Sequence, residues 1–262
     1  MDKAKLKAFL EGMYYVYARR ELINPDPLYF LYNYEDVRDR EIVGLVASSL
    51  AYGRVAQIMK SVDRVLSCLG ASPREFLLNS HDDEIVPEDF KHRFTTAADM
   101  NNLLRNISGV LREWGSIEKF LGECLKASSG DIFSGLNKFS DMLSRGKIDG
   151  SFSLVTTPRD GSACKRLFLY LKWMVRHDEV DPGVWEILKP KDLIVPTDVH
   201  MHRISRELGL TRRRVADLRT AIEITVGFRD FSSEDPCRFD FCLTRLGIRN
   251  IKYTLSPLTL HA

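Results

Sequence analysis

Ile42-Val43-Gly44-Leu45-Val46-Ala47-Ser48-Ser49-Leu50-Ala51-Tyr52-Gly53 decides the fold class of this chain. Nearly every position is apolar or small, so periodicity alone does not separate a helix buried all round from a buried strand. Gly44 and the paired serines disfavour the strand, and the run is too short to span a bilayer. It reads as a core helix. Downstream, Val55, Ile58, Met59, Val62, Val65, Leu66 and Leu69 recur at helical spacing, and Gly70 closes the series. Upstream, Leu6, Leu10, Met13, Tyr14 and Tyr17 line one face of a helix over 3–17, which Asn24-Pro25-Asp26-Pro27 breaks. Shorter helices are expected over 99–113, 116–126 and 131–143, then a loop over 147–161. The C-terminal third reads as helices over 162–176 and from Thr197 or Asp198 to Gly209. A further helix is capped by Thr211 and carries Val215, Leu218, Ile222 and Val226, and a last one spans 233–246. No stretch alternates as a strand does. The expectation is an all-α fold over 1–262, one domain with two helical lobes, 36–160 and 161–246.

Composition narrows the function classes. With 262 residues, 44% hydrophobic and 28% charged, the chain has ordinary globular composition and can bury a substantial core. The N-terminal segment lacks an apolar h-region and a cleavage site, so the chain is expected to remain in the cytoplasm, away from membranes. Cys68, Cys124, Cys164, Cys237 and Cys242 are scattered, with no Cys-x-x-Cys spacing for zinc or an iron–sulfur cluster, and read as reduced thiols. The net charge of +2 gives no global nucleic-acid signature. Charge is uneven, however: Gly161 to Arg219 holds 12 Lys/Arg against 8 Asp/Glu, peaking at Arg212-Arg213-Arg214.

Two segments carry candidate chemistry. Lys165 stands in Gly161-Ser162-Ala163-Cys164-Lys165-Arg166 at the start of an amphipathic helix. The positive end of the helix dipole favours a neutral amine there, and such an amine can attack C1′ of a nucleotide and form a Schiff base. The same position suits a solvated or phosphate-contacting lysine. Lys165, Leu169, Lys172 and Arg176 share one helical stripe, which sets three cations in a row. Asp198 lies in Val195-Pro196-Thr197-Asp198-Val199-His200-Met201-His202-Arg203, after a proline and before a periodic segment, where an N-cap is expected. A capping carboxylate stays ionised and fixed, so the cap does not exclude a catalytic role. His200 and His202 lack the i, i+4 spacing of a helical metal pair. Tyr52, Trp173 and Trp185 are candidates to stack on a base and equally to pack in the core. Arg54, Arg176 and Arg203 are candidate phosphate or base contacts.

The order of these segments resembles that of the helix-hairpin-helix-GPD DNA glycosylases over residues 36–246. Tyr52-Gly53-Arg54 matches the early turn that approaches DNA, and Gly161 to Lys165 resembles the Gly-x-Gly-x-Lys end of the hairpin. Pro196 to Arg203 resembles the Val-Asp-Thr-His-x-x-Arg segment, and Arg238-Phe239-Asp240-Phe241 falls in order downstream. Ala163 replaces the second hairpin glycine, the iron–sulfur cysteines are missing, and Lys165 and Asp198 stand 33 positions apart. That separation is similar to the archaeal 8-oxoguanine DNA glycosylases (AGOG), whose lysine helix and Ile-Pro-Val-Asp segment resemble Lys165-Arg166-Leu167-Phe168-Leu169 and Ile194-Val195-Pro196-Thr197-Asp198. Over its full length the chain is most similar to a bacterial family without an assigned function, marked by Leu-Ala-Tyr-Gly-Arg and Lys-Trp-Met-Val-Arg.

The resemblance implies a helix-hairpin-helix glycosylase-like fold around a central cleft. It further implies a DNA base-excision glycosylase and AP lyase acting on an oxidised purine through Lys165 and Asp198. Tyr52, Arg54, Trp173, Arg176, Trp185, His200 and Arg203 would bind DNA or base. The expected partner of the monomer is double-stranded DNA with a damaged base, with no metal or other cofactor. A nucleoside or nucleotide N-glycosidase, and a non-catalytic nucleic-acid-binding protein of the same fold, are the alternatives.

Overall fold

The structure, a computed structural model, describes residues 2–80, 84–147 and 152–248, with backbone alone for 246–248. It is built from helices: α1 (Lys3–Tyr17), α2 (Val37–Ser49), α3 (Val55–Leu69), α4 (Pro73–Asn79), α5 (Ala97–Trp114), α6 (Ile117–Lys126), α7 (Ile132–Leu143), α8 (Lys165–Val175), α9 (Val199–Glu207), α10 (Leu218–Arg229) and α11 (Asp240–Ile248). A 3₁₀ segment, Pro27–Asn33, precedes α2. The expectation of no strands needs one correction. β1 (Lys91–His92) and β2 (Thr95–Thr96) pair antiparallel, two residues each, too short for alternation to register in sequence.

Local chemistry fixes many boundaries. Asp36, Ser116, Asp131 and Asp198 each place a side-chain oxygen on a first-turn N–H of α2, α6, α7 and α9, satisfying donors the helix leaves open. Thr96 and Asp99 form a capping box on α5, and Gly115 ends that helix in the left-handed region at φ +81°. Three expected boundaries move. Helix α8 starts at Lys165 rather than Ser162, because Gly161 and Cys164 take left-handed backbone (φ +71° and +45°). Thr211 does not cap a long helix: its hydroxyl closes a local turn with Arg213 N–H, and α10 begins at Leu218 under Asp217, leaving Val215 and Val226 exposed. The last helix starts at Asp240, not Ser233.

Helix α2 is the hub. Every residue from Glu41 to Ser49 is buried, and the helix touches the 3₁₀ segment, α3, α4, α6 and α8. Its polar groups are matched: Ser48 donates to Leu45 O, while Glu41 accepts the N–H groups of Ile117 and Glu118 at the start of α6 (2.9 and 3.2 Å). Helices α4 to α7 gather on one side of α2; α9 packs on α11, and α1 returns from the far end of the chain to cover α11.

Close approach of α2 and α8 depends on Gly44. A Cβ there would stand 3.2 Å from both Met174 Sδ and Tyr170 Cε2. Gly44→Val should therefore overpack the crossing and cost roughly 1–3 kcal/mol, read as a lower midpoint in urea denaturation. An unchanged midpoint would show that α8 can move away.

Candidate functional site

Lys165 is the first residue of α8 and Asp198 the N-cap of α9, and the fold brings these two helix beginnings together. Lys165 Nζ lies 3.7 Å from Asp198 Oδ2, with the side chains 31% and 30% exposed. The amine also donates to Ala51 O (3.2 Å), just past the end of α2. Asp198 divides its carboxylate between two tasks. Oδ1 accepts from His200 N–H and Met201 N–H, both at 2.9 Å, which pins the side chain, while Oδ2 is the oxygen turned to the lysine. Capping thus orients the carboxylate for the lysine instead of competing with that contact.

The pair opens onto a cleft of about 480 Å³, walled by the turn after α2, the start of α3, one face of α8, the Pro196–His200 segment and α11. That volume lies within the roughly 300–1,000 Å³ of small-molecule sites. Trp173, Leu169 and Phe241 supply apolar wall, and Tyr52, Gly53, Val199 and His200 also line the cleft. Lys172 and Asp240, both almost fully buried, line it as well and lie 3.0 Å apart. Burial alone would lower the pKa of Lys172, but Asp181 and Asp240 hold it above the ordinary ammonium value. Burial raises that of Asp240 despite Lys172. Among the described residues no group of three or more His, Cys, Asp or Glu is arranged to hold a metal ion. No helix of those residues is long and apolar enough to cross a membrane.

A family model described as "Protein of unknown function (DUF2400)" matches residues 26–249, most of the chain and every residue named at this cleft. The chain belongs to the DUF2400 family. No curated protein and no solved structure matches it.

In this DUF2400 chain two of the expected DNA contacts are structural instead. Arg176 is 3% exposed and is surrounded by Asp178, Asp181 and Asp235, the last bound through Nε at 3.0 and 2.9 Å. A guanidinium consumed by three carboxylates cannot reach a phosphate. Its neighbour Lys172 is likewise paired with Asp181 and Asp240, so of the three-cation row only Lys165 remains half-exposed. Trp185 is buried against Tyr170, and its indole N–H donates to Glu41 (2.8 Å), which removes it from any stacking role. Trp173 is 1% exposed and serves as cleft wall rather than as a projecting wedge.

The remaining candidates sit at the rim or beyond it. Tyr52 is half-buried beside the cleft; Arg54 is exposed at the start of α3. His200 lines the cleft, whereas Arg203 points to solvent and pairs with Glu207 at 3.5 Å. Arg213 is tied to Asp217 and Thr220, so of the arginine triplet only Arg212 and Arg214 are exposed.

Sequence reasoning missed one residue lining this DUF2400 cleft, Asp240, and two that support its surroundings, Arg166 and His92. Asp240, a carboxylate set between Phe239 and Phe241, carried a signal, since an acid inside an apolar run implies a buried partner. Arg166 was signalled only by adjacency to Lys165. It donates to Ser49 O and Ser153 O, and burial works against its charge. His92, fully buried between Ser61 Oγ (2.9 Å) and Tyr52 O (3.0 Å), had no local signal. Burial lowers its pKa, which favours the neutral ring.

Proposed function

We propose that this protein is a DNA base-excision glycosylase with AP-lyase activity, on a helix-hairpin-helix-like scaffold, acting on a damaged purine. The observation that carries the reading is the Lys165–Asp198 pair, 3.7 Å apart at the edge of a cleft although 33 positions separate the residues. A cleft of about 480 Å³ suits one nucleotide unit and not a duplex, so the base must leave the stack to enter.

The chemistry follows from the two groups. Asp198 Oδ2 draws a proton from the Lys165 ammonium, leaving a neutral amine. The amine nitrogen bonds to C1′ as the C1′–N bond to the base breaks, and that electron pair departs with the base. The departing base takes up the proton that Asp198 had accepted, and the carboxylate, ionised again, stabilises positive charge spreading over C1′ and O4′. Asp198 then carries a proton from the bound nitrogen to O4′ as the C1′–O4′ bond opens to the protonated Schiff base, and it takes the C2′ proton as the 3′ phosphate leaves with its bonding electrons. Lys165 and Asp198 suffice for each step, with Tyr52 and His200 shaping the rim.

Borohydride trapping against a panel of damaged duplexes tests the proposal. Wild-type protein should yield a covalent adduct with at least one lesion. Binding should also weaken with salt, by a slope of about −0.9 in log affinity per phosphate contact. No adduct on any lesion overturns the glycosylase–lyase reading. A salt-independent activity on free nucleosides would place the same carboxylate in an N-glycosidase.

A further inference from the structure

The hairpin of β1 and β2 stands beside the cleft, and the chemistry at Lys165 does not use it. Its tip is Arg93-Phe94, between the paired residues His92 and Thr95. An isolated hairpin this short is not stable in water, and here the rim holds it. Tyr52 Oη donates to His92 O (2.8 Å) and lies 2.7 Å from Thr95 Oγ1, while the His92 ring bonds back to Tyr52 O and Ser61 Oγ. Arg93 takes φ +53°, which non-glycine residues rarely adopt. Its side chain lies over Gly53, where any Cβ would meet Arg93 Cδ at 2.7 Å. The tip is thereby fixed against the mouth of the cleft.

On this fixed tip Phe94 is 63% exposed. Its ring begins a ladder: Phe94 to Phe152 at 5.8 Å and 35°, then Phe152 to Tyr52 at 4.7 Å and 34°, stepping from solvent to the cleft rim. Cations alternate with the rings. The Arg93 guanidinium lies 5.5 Å from the Phe94 centroid, and that of Arg166 lies 4.7 Å from Phe152 and 5.3 Å from Tyr52. The described acceptors of Arg166 are main-chain carbonyls, so they do not neutralise its charge. Lys91, Arg93 and Arg54 add exposed positive charge around the tip, and Asp99 beyond it is engaged in the α5 capping box.

We infer that this ladder is a second base-binding position, a stacking platform for an unpaired base of a nucleic-acid strand outside the cleft, with Phe94 as its outermost ring. Aromatic faces interleaved with cations bind unstacked bases through ring stacking and phosphate attraction, with little regard to sequence. Clustered cations around one exposed ring select a polyanion over an apolar protein surface. The inference rests on the nucleic-acid part of the reading above and not on the Lys165 chemistry.

The test is fluorescence anisotropy with a short labelled oligonucleotide, single-stranded and as duplex, against wild type, Phe94→Ala, Phe94→Trp and Lys165→Gln. Phe94→Ala should bind the single strand about 5- to 150-fold more weakly, the span measured for one base–aromatic stack. Phe94→Trp should restore binding, and all variants should melt with the wild type. A 2-aminopurine in the strand should be quenched by wild type and not by Phe94→Ala. Unaltered binding by Phe94→Ala overturns the platform, as does wild type binding neither form of the oligonucleotide. A change in self-association alone on sedimentation also overturns it, assigning Phe94 to contacts between copies. Phe94-dependent binding without any borohydride-trapped adduct supports the platform and defeats the glycosylase reading. Trapping that persists in Phe94→Ala at wild-type affinity does the reverse.

Discussion

Lys165→Gln protein is expected to release no base and to form no borohydride-stable adduct, on whichever damaged duplex the wild type cleaves. Glutamine keeps a donor for Ala51 O but has no amine to attack C1′. The fold should be unaffected, because the replaced ammonium is partly exposed and its one carboxylate partner stands at 3.7 Å. Asp198→Asn forms the companion experiment. Its amide oxygen can still accept from His200 and Met201 N–H, and Asn and Asp rank alike at an N-cap, so the melting temperature should hardly move. What disappears is the ionised oxygen facing Lys165. Loss of a proton acceptor and charge stabiliser of this kind costs about 10²–10⁴-fold in turnover. An Asp198→Asn enzyme as active as wild type would reduce the residue to a cap and sink the mechanism.

Arg176→Met is expected to be the most destabilising of the changes considered, and to leave DNA binding unchanged in the fraction that stays folded. The methionine fills part of the space but removes the guanidinium that Asp178, Asp181 and Asp235 share, leaving Asp181 with Lys172 as its remaining cation. Removing one partner of a buried ionic cluster costs roughly 3–5 kcal/mol, measurable as a shifted guanidinium chloride midpoint. The pH dependence has a definite sign. In wild type, burial works to raise the pKa of Asp178, but Arg176 outweighs it and holds the carboxyl below its usual value. Its stabilisation is therefore complete above the ordinary carboxylate range and is lost as pH falls through the depressed folded pKa. In the variant, the carboxylates keep the burial without that cation. With burial no longer opposed by the guanidinium, the folded pKa of Asp178 rises above the unfolded one and that of Asp181, already raised by burial, rises further, so acid now favours the folded state. The gap between the two proteins should narrow as pH drops from neutral toward about 4. A gap that widens toward acid would show that another cation has taken the place of Arg176.

The lysine helix separates what sequence and tertiary structure each decide. Lys165, Lys172 and Arg176 lie on one stripe of α8, and their shared face follows from spacing alone. Their fates do not. The stripe begins at the open cleft and runs inward, so Lys165 meets solvent and Asp198 while Lys172 and Arg176 are buried among carboxylates. Asp235 and Asp240 come from more than fifty positions away. Trp173 and Trp185 went the same way, since an indole does not declare in sequence whether its N–H will find a buried Glu41.

What the sequence determined by itself is what neighbouring residues can enforce. Helical periodicity located α1, α3 and α5 to α7, Ser116, Asp131 and Asp198 marked the starts of α6, α7 and α9, and Gly44 with two serines resolved α2 as helix. Each rests on contacts within one or two turns, so the local pattern carries the whole cause. The left-handed delay at Cys164, the two-residue strands around Arg93-Phe94 and the ion cluster under the cleft were decided only by the tertiary structure. Their stabilising partners, such as Tyr52 beneath the hairpin and the aspartates around Arg176, come from segments remote in sequence. Burial of a charge or of a short strand is worth its desolvation only when those partners arrive.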